Sequence, residues 1–396
     1  MRTVGIVCEY NPFHKGHLHQ LNETRRILGE DTTAVCVMSG DFVQRGEAAV
    51  YDKFTRAESA CRSGADLVVE LPLPWCLSSA EGFAFGAVAI LAALGCDTLS
   101  FGSESADLSA LKALADFALD ENAQAQIRTL MDRDAALSFA RARQLAAEAS
   151  VGDAALLLSK PNDILAVEYL KAIQRTGAHM QPLVIHRVGA DHDSTETGEY
   201  CSAMHLRNMI REGEDPAPYI PQPAAEVLGR EKGRMRDEKL LEIALLSRLY
   251  RLKPEDFDAL PDAGGGAGRR LYQALWKSGK LEKTVNAAST RRYTASRMRR
   301  MLLCAALGLC AEDTKGTPPY ARVLSSNERG RAWLARVRGK TALPVVNKTT
   351  EMKKAGFQAE KVFKLTADAH ELYRLSCPLT KDREPGEDWR RTAVIV

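Results

Sequence analysis

The sequence predicts an α/β protein: a Rossmann-like domain, then a mainly helical basic region, then a small C-terminal α/β module. Three observations carry this. Short apolar runs of β-type residues alternate with helix-compatible stretches from residue 2 onward, a proline-rich break (PAPYIPQP) interrupts the chain at Pro216–Pro223, and the charge changes sign across the middle. Residues 1–200 hold 17 Lys and Arg against 27 Asp and Glu, and residues 201–396 hold 37 against 24, so the net +3 conceals an acidic front and a basic back. That split points to a polyanion met mainly by the second half.

Arg2–Cys8 (RTVGIVC), Thr33–Met38 (TAVCVM), Asp66–Leu71 (DLVVEL) and Asp97–Phe101 (DTLSF) read as buried strands. Between them His17–Leu28, Lys53–Ser63 and Ser79–Leu94 read as helices, stopped by Gly29, Gly64 and Gly95. Strand, helix, strand repeated means a parallel sheet with crossover helices, and ligands of such sheets gather at the carboxyl ends of the strands. A helical stretch follows from Ser105 to Arg175, and Leu183–His186 (LVIH) returns as one more strand. Beyond the proline break, Glu238–Tyr250 and Arg292–Leu309 are helical, with a flexible Gly264–Gly268 insert between them. The last part alternates again, with strands at Ala321–Leu324 and Leu343–Val346 around a helix at Glu328–Val337. These breaks divide the chain at 1–218, 224–312 and 313–396.

An apolar content of 45% excludes a largely disordered chain. The longest mostly apolar run, Phe83–Gly95, is too short to span a bilayer, and the start lacks a signal-peptide core. A cytoplasmic protein with no membrane partner is therefore expected. Nine scattered cysteines without a Cys-x-x-Cys pair predict reduced thiols, with neither a disulfide framework nor a structural zinc site.

The sharpest chemical signal follows the first strand, in Glu9-Tyr10-Asn11-Pro12-Phe13-His14-Lys15-Gly16-His17. Two histidines three apart at a helix entrance share a face, close to free backbone N–H groups and the positive end of the helix dipole. That is a phosphate site. In nucleotidyl transfer, negative charge grows on the α-phosphate oxygens, so imidazole donors aimed there stabilise the transition state more than the ground state. His14 and His17 are therefore the expected catalytic pair. A bare H-x-x-H also occurs in metal sites and on ordinary surfaces. The preceding strand, the Asn-Pro-Phe turn, Gly16 and the following helix favour the phosphate reading. Mg²⁺ suits an ATP enzyme, yet no carboxylate cluster marks a dedicated metal site.

His-x-Gly-His after a first strand resembles the signature of the HIGH-type nucleotidylyltransferase superfamily. Cys201-Ser202-Ala203-Met204-His205-Leu206-Arg207 resembles its ISSTxIR segment, which binds the β- and γ-phosphates; Ser202 and Arg207 match, while Ala203 and Met204 replace the other hydroxyls. Met38–Glu47 (MSGDFVQRGE), Gly64–Pro72, Ser79–Ala84, Phe101–Glu104, Lys160–Ala166, His186-Arg187, Arg292–Arg297 and Pro319–Leu324 resemble one family in particular, the bacterial tRNA(Met) cytidine acetate ligases. The resemblance is dense over residues 4–207 and thinner beyond.

It implies that acetate attacks ATP to give acetyl-adenylate and pyrophosphate. The acetyl group then passes to the wobble cytidine of elongator tRNA(Met), forming N4-acetylcytidine. Carried over by position, Val7, Cys8, Glu9, Tyr10, Asn11, Pro12, Phe13, His14, Lys15, Gly16, His17, Leu18, His19 and Gln20 would bind ATP together with Gly102, Asn162, Arg187 and Val188. Ser202 and Arg207 complete the set. A missing side chain at Gly102 would let the nucleotide approach, and the Asn162 amide would hold adenine or ribose. Gln44, Arg45 and Lys53 are further candidates for acetate or phosphate, with a solvated helix face as the other reading of Lys53.

In the basic half, Thr290–Arg300 (TRRYTASRMRR) holds five arginines in eleven residues. Arg291, Arg292, Arg297, Arg299 and Arg300 would pair with phosphates and Tyr293 would stack on an unpaired base. Gly264–Gly268 lacks the ending of a phosphate loop and departs from the family pattern. Two other functions remain open at this level. One is an adenylyltransferase making a nucleotide cofactor from a small phosphorylated substrate, which needs no basic half of this size. The other is a catalytically silent RNA-binding protein, which has no need of His14, Gly16, His17 and Arg207.

Overall fold

The computed structural model describes residues 2–134, 137–187 and 201–396. Its strands are β1 (Thr3–Cys8), β2 (Thr33–Ser39), the short hairpin β3 (Phe42–Val43) and β4 (Glu47–Ala48), β5 (Leu67–Leu71), β6 (Thr98–Ser103), β7 (Gln181–His186), β8 (Ala321–Ser326), β9 (Val345–Val346) and β10 (Val394–Ile395). The main sheet has the order β10-β8-β5-β2-β1-β6-β7, with β9 also on β8.

From β5 to β7 every pairing is parallel. The chain steps outward from β1 to β2 to β5, then crosses back to β6 on the other side of β1. That reversal opens a crevice at the carboxyl ends of β1 and β6, the place where open α/β sheets bind ligands. Both faces of the sheet are covered: Val35, Val37, Leu67 and Val69 join one core, and Ala34, Cys36, Met38 and Val68 the other. Burial on both sides is why these strands read as continuous apolar runs.

Residues 313–396 do not build a sheet of their own. β8 adds to β5 in antiparallel register, and β9 and β10 pair with β8. Without β8, β5 would present an open row of backbone groups. Neighbours in sequence usually pair in space, so nothing local marks a partner more than 250 residues away. All nine cysteines are free. Among the described residues no helix is long and apolar enough to cross a membrane.

Buried charge locks this junction. Lys53 is fully buried, with Nζ 2.6 Å from Glu70 and 2.7 Å from Asp388. Arg322 on β8 lies 2.7 Å from Asp388 and 3.3 Å from Glu70. Lys53 is thus neither a substrate contact nor a solvated residue, in contrast to both sequence readings. Beside it His370, from the Phe357–Arg374 helix, is 2.7 Å from Asp41 and 3.3 Å from Glu387. Burial opposes the charge on His370, but Asp41, Asp388 and Glu387 outweigh it and push its pKa up to about 10. Burial likewise opposes ionisation of Glu387, which His370, Arg234 and Arg391 bring down to about 2.

Removing one member of a buried ion cluster leaves its partners uncompensated. Lys53→Met is therefore expected to lower unfolding free energy by about 3–5 kcal/mol in urea titration. His370 contributes fully below its ordinary value of 6.5 and loses that contribution as the pH climbs toward 10. Glu387 contributes fully above 4.5 and loses it as the pH falls toward 2. The urea midpoint should decline from pH 7 to 10, and His370→Gln should flatten that alkaline slope.

Candidate active site at the crevice between β1 and β6

The site begins where β1 ends. Tyr10 turns the chain with φ of 44°, and Asn11 is held at both ends: its Oδ1 accepts from the Val50 N–H at 2.8 Å and its carbonyl from Arg207 at 3.2 Å. Below it, the fully buried Arg56 donates to the carbonyls of Glu9, Ser39, Gly40 and Tyr51. One guanidinium thereby ties the ends of β1 and β2 together. Nothing in the sequence marks Arg56, because its acceptors are backbone atoms that composition does not reveal.

His14 is the N-cap of the Lys15–Leu28 helix, in extended conformation. Its Nδ1 accepts from the Gly16 N–H at 3.0 Å, while its own N–H donates to His17 Nδ1 at 3.2 Å. This is a capping box built from imidazoles. With both Nδ1 atoms accepting, the ring hydrogens sit on Nε2. The rings stack 3.7 Å apart, and Tyr10 meets His17 edge-on at 4.8 Å. Burial, then Arg187 and Arg207, lowers the His14 pKa to about 3; burial, then His14 and Arg187, lowers that of His17 well below its ordinary value. Both rings are therefore neutral, each with an Nε2–H free to donate.

Around them lies a cavity of about 250 Å³. Val7, Cys8, Glu9, Tyr10, Asn11, His14, His17 and Gln20 line it from the first segment, joined by Gly102, Asn162, Arg187, Ser202 and Arg207. Gln44 and Arg45 reach it from the β3–β4 hairpin. Pro12, Phe13, Lys15, Gly16, Leu18 and His19 do not line it, and Val188 lies outside the described residues. Ala80, Phe83, Phe101, Pro161, Ile164, Leu165 and Tyr169 supply an apolar wall that sequence reading missed. All but Tyr169 fall in the segments Ser79–Ala84, Phe101–Glu104 and Lys160–Ala166, whose family resemblance carries no role for them.

Several assignments change in detail. A Cβ at Gly102 would stand 3.1 Å from Arg187 Cγ, so the missing side chain makes room for the arginine stem. Asn162 donates from Nδ2 to Glu104 at 2.5 Å, which leaves its carbonyl oxygen for a ligand. Ser202 caps the Ala203–Glu212 helix by accepting from the His205 N–H at 3.1 Å, and that helix points its N-terminus at the cavity with Ser202 and Ala203 at the wall. Helix N-termini of this kind favour anions. Glu9, whose Oε1 accepts from the Gln44 N–H at 2.9 Å, is the carboxylate among the described lining residues, and burial raises its pKa.

The arginine-rich segment is divided. Tyr293 is buried with its hydroxyl bonded to the Gly265 carbonyl, so it cannot stack on a base as expected. Arg297 donates to the carbonyls of Asp262 (3.1 Å) and Gly264 (3.2 Å), and buried Arg300 lies 3.6 Å from Asp262. These three hold a packed turn: Gly264–Gly266 leads into the Ala267–Leu275 helix, where a Cβ at Gly268 would overlap the Phe257 carbonyl. The glycine run is therefore no flexible insert. Arg291 and Arg292 remain exposed, and Arg299 lies half-exposed 3.9 Å from Glu47.

A family model described as HIGH nucleotidyl transferase matches residues 1–388. The tRNA(Met) cytidine acetate ligase of Syntrophotalea carbinolica is 41% identical over 361 residues, covering 87% of this chain and 84% of its own. That of Acetivibrio thermocellus is 32% identical over 417 residues, covering all of both chains. The chain belongs to the tRNA(Met) cytidine acetate ligase family. A solved member of the ligase family, apo TmcAL from Thermotoga maritima, superposes over the full length of both chains with a TM-score of 0.94 at 31% identity. The same protein bound to alpha-thio ATP gives 0.92.

A Cβ at Gly16 would lie 2.9 Å from the His14 ring, too close for the present stacking. Gly16→Ala is expected to displace that ring and weaken ATP binding about tenfold by calorimetry. The melting temperature should move by only a few degrees.

Proposed function

We propose that this chain activates acetate with ATP and transfers the acetyl group to the wobble cytidine of elongator tRNA(Met). The observation that carries the reading is the pair of neutral histidines whose Nε2–H donors share a helix entrance in the β1–β6 crevice, with Arg187 and Arg207 beside them. In the first step an acetate oxygen attacks the α-phosphorus and the bond to pyrophosphate breaks, leaving acetyl-adenylate. His14 and His17 donate to the α-phosphate oxygens as charge builds there, without any proton leaving the ring. Arg207 and the N-terminus of the Ala203–Glu212 helix receive the departing pyrophosphate.

The two sides of the cavity divide the substrates. Gly102, Asn162 and Arg187 lie at or after β6 and β7, on one side of β1, and suit the nucleoside. Gln44 and Arg45 come from the hairpin after β2, on the other side. The Arg45 side chain has no hydrogen-bond or ion-pair partner among the described residues, which suits it to the acetate carboxylate. In the second step the cytidine N4 amine attacks the acetyl carbon and AMP leaves. Glu9 is placed to take the proton that N4 gives up.

Mg²⁺ would travel with the triphosphate, whose charge it neutralises; among the described residues no three metal-ligating side chains converge. We assign the ATP chemistry to residues 1–218 and tRNA contact to residues 224–312, through Arg291, Arg292 and Arg299.

The wild-type chain should exchange labelled pyrophosphate into ATP only when acetate is present, with no tRNA required. His17→Ala is expected to lower that exchange by about 10²–10³. Exchange indifferent to acetate would overturn the reading in favour of a cofactor-making adenylyltransferase.

A further inference from the structure

The basic region carries a second feature, away from the arginine segment. Tyr250 and Trp276 each follow the last turn of a helix, Glu238–Leu249 and Ala267–Leu275. They are 40% and 55% exposed, with ring centroids 5.4 Å apart and planes 32° from parallel. Tyr272 meets Trp276 at 6.1 Å and the fully buried Phe257 at 5.4 Å, so the row is anchored in the core at one end and open at the other. The inner two rings do the packing. The outer pair leaves a large apolar surface in water.

Five cations lie close to that pair in the sequence. Arg248 and Arg251 flank Tyr250, Lys277 follows Trp276, and Lys253 and Lys280 lie within four residues of one ring or the other. All five are exposed, and none forms an ion pair among the described residues. The neighbouring carboxylates are otherwise engaged. Glu255 and Asp258 pair with Arg269, Asp256 accepts from the Lys253 N–H, and Glu242 accepts from the Leu281 N–H. Glu282 alone here has no partner among the described residues.

We propose that Tyr250 and Trp276 form a stacking platform for an unpaired RNA base, with the flanking arginines and lysines holding the phosphates on either side. Lysine is depleted at the centres of protein–protein contacts, whereas aromatic rings set among cations are the usual furniture of single-stranded nucleic-acid sites. The placement agrees with the arginine segment. The Ala267–Leu275 helix starts at the turn held by Tyr293 and Arg297 and ends at Trp276, and its nine residues span about 13 Å, or about four stacked nucleotides. One RNA strand can therefore meet both. This inference rests on the tRNA-modifying function proposed above and adds a contact outside the catalytic cavity.

The test uses the full chain, a Tyr250→Ala/Trp276→Ala double variant, an Arg251→Ala/Lys277→Ala/Lys280→Ala triple variant and elongator tRNA(Met) transcript. The double variant should bind tRNA about ten- to a hundredfold more weakly at one salt concentration, with an unchanged slope of log affinity against log salt. The triple variant should lower that slope by about 2–3. Acetate-dependent pyrophosphate exchange should be unaltered in both, which also reports that they fold. Unchanged tRNA affinity in a double variant with normal exchange would overturn the platform and leave the catalytic reading standing. So would a concentration-dependent dimer of the wild type that the double variant abolishes, since the rings would then be covered by a second copy. Absence of acetate-dependent exchange in the wild type would instead overturn the catalytic reading itself.

Discussion

A helix entrance must find partners for backbone N–H groups that have no carbonyl below them. Here imidazole nitrogen supplies two of those partners, and most of the site follows from that choice. Because Nδ1 of His14 and of His17 is used for capping, both rings are fixed in one tautomer and one orientation, with Nε2–H left for the cavity. Burial keeps them neutral. A charged pair stacked at 3.7 Å would repel, so neutrality and stacking support each other. The ring geometry thus follows from a structural need that the helix would have in any case.

The cations in and beneath the cavity serve two purposes. Lys53 and Arg56 are fully buried and hold the frame, one against Glu70 and Asp388, the other against three carbonyls at the ends of β1 and β2 and that of Tyr51. Arg45, Arg187 and Arg207 line the cavity. Cations gathered at one mouth raise the local potential there, which favours an anion. The charge count alone does not reveal this, since it weighs a buried lysine and a cavity arginine alike.

The hairpin after β2 joins the two halves. Gly46, at φ of 79°, sits so close to the Arg299–Arg300 backbone that a Cβ would overlap it. Its neighbour Arg45 lines the cavity, and Glu47 lies 3.9 Å from both Arg207 and Arg299. Cavity and arginine-rich helix are therefore in contact through a few residues rather than across a linker.

Local pattern by itself determined the strands of the parallel sheet, the helices between them, the histidine helix entrance and the charge division of the chain. Each rests on neighbours in sequence: apolar periodicity, a glycine stop, a turn before a helix. Tertiary structure alone decided that β8 covers the open edge of β5, that Lys53 is a buried ion partner, that Tyr293 belongs to the core, and that Tyr250 and Trp276 stand side by side in solvent. The physical reason is the same in each case. Whether a charge or a ring faces water, a carboxylate or another ring depends on what the distant chain brings to it, and side-chain type sets only which of those partners it can accept.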